Sequence, residues 1–146
     1  MSLSNAAETD LLEIIFNNTA WPYIGDASGL QPSGTAGSLY IGLHTGDPGE
    51  DGDQTTSEAD YTGYARVAVA RSGAGWTVSG NNASNAAAIT FGACSAGSNT
   101  ITYFSIGTES SGAGHLLASG ALSAGLAVSA GITPEFAIGE LDVNAD

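Results

Sequence analysis

The sequence predicts a mainly β protein: an antiparallel β-sandwich or jelly-roll-like domain preceded by one N-terminal α-helix. Three observations carry that expectation. Apolar residues recur at helical spacing only near the start, and from Ser38 onward they alternate in short runs. Turn residues, with 21 glycines among them, separate those runs at intervals of roughly 8 to 14 residues, close to the spacing of sandwiches and barrels. A chain of 146 residues is expected to form one domain with one real core, and no internal repeat is visible in it.

The helix is expected over about 6–17. In SNAAETDLLEIIFNN, Asn5 and Glu8 have capping-box spacing, Glu8 and Asp10 sit where the helix dipole favours anions, and Leu11, Leu12, Ile15 and Phe16 make an apolar face. The next segment, over about 18–37, is dense in Gly and Pro and reads as an irregular connector. The β-domain then fills about 38–146. In SLYIGLHT, Leu39, Ile41 and Leu43 share one face, with Tyr40 and His44 on the other. In YARVAVAR the alternation places Tyr64 and Arg66 on one face and Arg71 on the opposite one. GWTVSG, AAAITFG, NTITYFSIGT, GHLLASGAL, GLAVSAG and PEFAIGELDVN complete a set of about eight strands.

Charge excludes several functions. Fifteen Asp and Glu against two Arg and no Lys give a net charge of −13, a surface that repels phosphate backbones, so no direct nucleic-acid partner is expected. Without lysine there is no Schiff base and no P-loop lysine. Cys94 is the only cysteine, which rules out an intrachain disulfide and reads as a buried, inert thiol. MSLSNAAETD has no basic n-region or apolar h-region, and no run approaches 18 apolar residues, so neither a secretory signal nor a membrane span is expected.

The stretch LHTGDPGEDGDQ most resembles a site. Asp47, Glu50, Asp51 and Asp53, with Glu58 and Asp60 beyond, are a weak candidate for Ca²⁺, but no frame supplies the ligand intervals of an EF-hand. The expected reading is a turn, with Pro48 fixing φ and Gly49 allowing φ > 0, that carries solvated carboxylates. His44 and His115 could join a Ser-His-Asp assembly or a zinc site, yet neither a G-x-S-x-G elbow nor H-E-x-x-H spacing is present. Both are read as ordinary strand residues. No catalytic residue, metal or other cofactor is expected, and no enzyme. The Gly-rich runs GTAGS and SSGAG lack a phosphate-loop context and read as turns. Trp21, Tyr23, Trp76, Tyr103, Phe104 and Phe136 could line a sugar groove, but are as readily core residues. In so acidic a chain Arg66 and Arg71 are expected to pair with carboxylates, within the chain or across a subunit contact.

The segments AETDLLEIIFNNTAW, IGDASGLQPS, GSLYIGLHTGDPG, YTGYARVAVAR, GWTVSG, NAAAITF, TYFSIGTESSGAG and GITPEFAIGELDV, in this order, resemble a family of small tailed-bacteriophage virion proteins. Members are often called phage tail fibre proteins, and small proteins of related phages resemble capsid decoration, or cement, proteins. The resemblance implies a structural role and no catalytic residue. A compact chain without a repeat or coiled coil fits a long fibre poorly, so the expected role is decoration of the outer head surface, with a tail component (fibre, tip or adsorption protein) as the alternative and a carbohydrate-binding module as a third. The expected partners are the major capsid protein of the same phage and further copies of the chain, as a dimer or trimer. The expected location is the virion, after synthesis in the bacterial host cytoplasm.

Overall fold

A computed structural model describes residues 2–145. One helix, α1 (Asn5–Phe16), precedes β1 (Ser38–His44), β2 (Val67–Ala70), β3 (Trp76–Ser79), β4 (Asn82–Asn85), β5 (Ile89–Thr90), β6 (Ser98–Gly107), β7 (Leu116–Ser129), β8 (Glu135–Phe136) and β9 (Asp142–Asn144). The class is the expected one, mainly antiparallel β with a single N-terminal helix. The chain divides into two compact units, Met1–Ser38 with Val69–Ile89 and Phe136–Asp146, and Leu39–Ala68 with Thr90–Glu135.

In the first unit α1 packs on β3 and β4. Its N-cap is Ser4, whose side chain accepts from the Ala7 N–H, so the cap falls one residue before the expected Asn5. Ser4 wins because its extended backbone aims the hydroxyl at the free amides of the first turn. Leu12 and Phe16 are the buried part of the apolar face, and the Phe16 ring meets the fully buried Trp76 edge-on at 4.6 Å between centroids. Thr9 Oγ1 also donates to the Gly80 carbonyl at 2.9 Å. β3 and β4 form a hairpin in which Ser79 faces Asn82 across Gly80 and Asn81. Gly80 has φ of 61°, the conformation a two-residue turn of this hand demands at its first central position.

β4, NASN, was not among the expected strands, because its inward positions are Ala83 and Asn85 rather than large apolar residues. Asn85 is tolerated there because every group on it is paired: its amide donates to the Ala87 and Ala137 carbonyls, each at 2.8 Å, and its oxygen accepts from the Leu141 N–H. β9 pairs with the other side of β4, giving the order β3-β4-β9. The terminal segment PEFAIGELDVN is therefore two short strands, β8 and β9, not one.

The second unit is built on β1, β6 and β7 in the order β2-β1-β6-β7. β1 and β6 are antiparallel, with Ile41 opposite Ile106 and Leu43 opposite Phe104. Leu39, Ile41 and Leu43 are buried, the alternation read from the sequence, and Ile101, Ile106 and Val128 are buried with them. β2 is shorter than expected: Tyr64, Ala65 and Arg66 precede it, because the Tyr64 N–H closes a turn on the Tyr61 carbonyl. AAAITFG contributes only Ile89 and Thr90. The two candidates GHLLASGAL and GLAVSAG are one strand, β7, interrupted by a bulge in which Leu122–Gly125 stand opposite the single residue Thr102. No helix among the described residues is long and apolar enough to cross a membrane.

Candidate functional site

A buried polar cluster lies where β1 ends and the chain turns into the acidic loop. His44, the last residue of β1, is fully buried, and so is Ser105 on the adjacent β6. The His44 ring joins the Thr56 carbonyl through Nδ1 at 2.8 Å and the Ser105 hydroxyl through Nε2 at 2.7 Å. A carbonyl can only accept, so Nδ1 carries the proton and Nε2 accepts from Ser105. This is the hydrogen-bond pattern of an activated serine, with a main-chain carbonyl in place of the aspartate. Both members are sealed, however. A Cβ at Gly42 would stand 2.7 Å from the Ser105 hydroxyl and 3.2 Å from Nε2, so the absence of a side chain there is what accommodates the pair.

Burial holds the His44 pKa below its ordinary value of 6.5, against the opposing pull of the Thr56 carbonyl and the Glu58 charge. The ring is neutral in the fold, so the unfolded chain takes up a proton first. Stability is then fully present above the ordinary value and is lost as the pH falls through it toward the lowered one. Denaturation midpoints are expected to decline as the pH drops below about 6.5, and His44→Gln is expected to flatten that decline; an equal slope in the variant would rule out the assignment.

Beside this pair Arg66 grips Glu58. Its Nε and Nη2 donate to the two carboxylate oxygens at 2.6 and 2.8 Å, with the Arg66 side chain 2% and the Glu58 side chain 18% exposed. Burial opposes the guanidinium charge, but the hydrogen bonds and charge of Glu58, together with Tyr64, more than offset it, so the Arg66 pKa lies above its ordinary value. Tyr64 donates to the same carboxylate at 2.9 Å and accepts from the Leu43 N–H at 3.1 Å. Burial pushes its phenol far above the ordinary range, keeping it a neutral donor.

The remaining donors of Arg66 bind the loop between β6 and β7, at the carbonyls of Glu109 (3.0 Å) and Gly112 (2.8 Å). Gln54, fully buried, holds the same loop: its oxygen accepts from the Glu109 N–H at 2.9 Å, its amide donates to the Glu109 carbonyl, and its own N–H donates to Ala113. Gly107 and Gly114 admit the Gln54 side chain; a Cβ on either would lie 2.1 Å from it. SSGAG is thus a turn, and one held in place from below. The cluster pins two loops to the sheet.

The calcium candidates do not converge. Asp47 accepts from the Gly49 N–H at 2.9 Å, and Asp53 from the N–H and hydroxyl of Thr55 at 2.8 and 2.6 Å. The Thr55 hydroxyl and then its N–H hold the Asp53 carboxyl below the usual carboxylate range. Glu50 and Asp51 are exposed, and no group of three potential metal ligands forms among the described residues. Titration with Ca²⁺ is expected to release no heat and leave the melting temperature unchanged; a stoichiometric heat would restore the site.

Arg71, in the other unit, is held by oxygens rather than by a carboxylate: it donates to the carbonyls of Ile14 and Ile15, each at 2.6 Å, to Ala36 at 3.1 Å and to the Ser33 hydroxyl. His115 is exposed, and its N–H bonds the Thr108 hydroxyl. Cys94 is buried, its thiol directed at the carbonyls of Ala96 and Gly97. Of the aromatics, Trp76 is in the core and Tyr23 is 80% exposed; Trp21, Tyr103, Phe104 and Phe136 are half-buried. Sequence reasoning missed the Gln54, Thr56, Tyr64 and Ser105 roles. The one available signal was the shared face of Tyr64 and Arg66, both of which meet Glu58.

A family model matches residues 2–144, nearly the whole chain. The match places the protein among the structural components of the bacteriophage virion. Its family is the one described as Podophage GP4 fiber I protein gp80, and the chain belongs to it. A search of curated proteins gives no match.

Proposed function

We propose that the chain is a non-enzymatic fibre component of the phage tail, a rigid β module present in several copies. The observation that carries this reading is the full-length match to a family described as a fibre protein. The structure supports it physically: Arg66, Gln54 and His44 tie the loops of the second unit to its sheet, as a part under mechanical load requires. The exposed tip of the connector, where Tyr23, Ile24 and Leu30 present apolar surface, is a candidate contact with neighbouring virion proteins or the host surface.

Decoration of the outer head surface, bound to the major capsid protein, is the second reading. A compact chain without a long repeat favours it, and a net charge of −13 suits a position outside the packed DNA. Averaged images of intact virions carrying a labelled chain test the two. Density at the tail is the expected result, whereas density spread over the head lattice would replace the fibre reading by decoration.

A further inference from the structure

We infer that β7 is a self-association edge, which takes the β7 strand of a second copy of this chain in antiparallel pairing. β7 lies at the end of the order β2-β1-β6-β7, so among the described residues one side of its backbone has no strand beside it within the sheet. Free edges are usually blunted by shortness, charge or proline. The opposite edge strand, β2, has four residues, whereas β7 has fourteen and holds neither a proline nor a charged residue. Its blunting devices are the bulge at Leu122–Gly125 and a one-residue irregularity at Leu117, between which Ala118–Ala121 form a regular ladder on β6. Over Leu116–Ala121 the inward positions are only half-buried and the alternate ones exposed, with Leu117, at the irregularity, 47% exposed and Leu126, beyond the bulge, 37%.

Charge selects the occupant. Fifteen carboxylates occur in 146 residues, yet Ser110 to Pro134 contains no Asp, Glu, Lys or Arg. A basic partner would be drawn to the carboxylate-rich loops and away from this strip. Two copies of a chain carrying −13 repel each other over most of their surfaces and can approach closely only where neither presents a charge. Pairing β7 with its own copy meets that condition on both sides at once, and because the contact is isologous it closes as a dimer instead of growing as a filament. Leu117, Ser119 and Ala121 would then face their counterparts across the new ladder. The inference holds for a fibre and for a head lattice alike.

Light scattering and sedimentation of the full chain over a range of concentrations test it. The expected result is a concentration-dependent dimer, weakened about tenfold or more by Leu117→Lys with Ser119→Lys, since like charges would then face each other across the ladder. Those lysines make the chain two units less negative, so general repulsion falls and a loss of association must come from the edge. Asp51→Lys makes the same change of charge in the exposed acidic loop and is expected to leave the dimer intact. Hydrogen exchange on the unmodified chain provides a readout that needs no variant: protection of the Leu116–Ala121 amides is expected to rise with concentration, while that of β2 stays constant. A chain monomeric at every concentration, a dimer indifferent to the lysines, or β7 protection that appears only when another virion protein is added would each overturn the inference.

Discussion

Arg66→Ala is expected to cost the protein about 3 to 4 kcal/mol of stability, the cost of breaking a largely buried ion pair by removing one partner. The guanidinium is nearly sealed, at 2% exposure, and its donors reach both oxygens of Glu58 and two loop carbonyls. Without it the carboxylate keeps only the Tyr64 hydroxyl in the interior, and Glu109 and Gly112 lose a charged donor. Because Glu58 is 18% exposed, water recovers part of the loss, which places the effect at the lower end for such pairs. The melting temperature is expected to fall by roughly 10 °C on the scale of a protein this size. Combining Arg66→Met with Glu58→Leu is expected to restore part of the stability by removing both charges together. An Arg66→Ala variant within about 0.5 kcal/mol of the parent, as for a neutral surface change, would refute the argument.

Arg71→Ala is expected to cost about 2 kcal/mol, from charge-assisted hydrogen bonds lost at partly buried carbonyls. The last turn of α1 contains no basic residue of its own, although that is where the helix dipole favours a cation. Arg71 supplies one from a distant part of the chain, donating to the Ile14 and Ile15 carbonyls of that turn. It also binds Ala36 in the connector, so one side chain fixes both the end of the helix and the segment leading toward β1. The variant is expected to lose amide protection in α1 first, while β1 and β6 keep theirs. Arg71→Lys, a single point donor in place of a planar fork, is expected to recover less than half of the loss. Unchanged protection of α1 in Arg71→Ala would show that the helix holds its own end.

The legible parts of the fold are those in which apolar periodicity and burial coincide. Leu12 and Phe16 mark α1, and the alternation Leu39, Ile41, Leu43 marks β1, since each pattern aims one face at a core. β4 was illegible for the opposite reason: its inward Asn85 is stable only because Ala87, Ala137 and Leu141 complete its bonds. β7 was read as two strands because Gly120 and Gly125 interrupt its pattern, and the bulge that joins its halves follows from pairing with β6. The acidic loop was legible as a turn, but not the cluster beneath it, whose members come from four separate stretches of chain.

Composition and periodicity by themselves determined the class of the protein, the helix, the long strands and an acidic surface without lysine. The order of its segments pointed to the phage virion, where the family match places it. Only the tertiary structure decided what the two arginines do. Their rarity in the sequence marked them for pairing, but a guanidinium takes whichever oxygens the fold leaves without donors: for Arg66 the Glu58 carboxylate and a loop, for Arg71 the end of a helix. Which oxygens those are depends on contacts between residues far apart in the chain, and no local pattern records them.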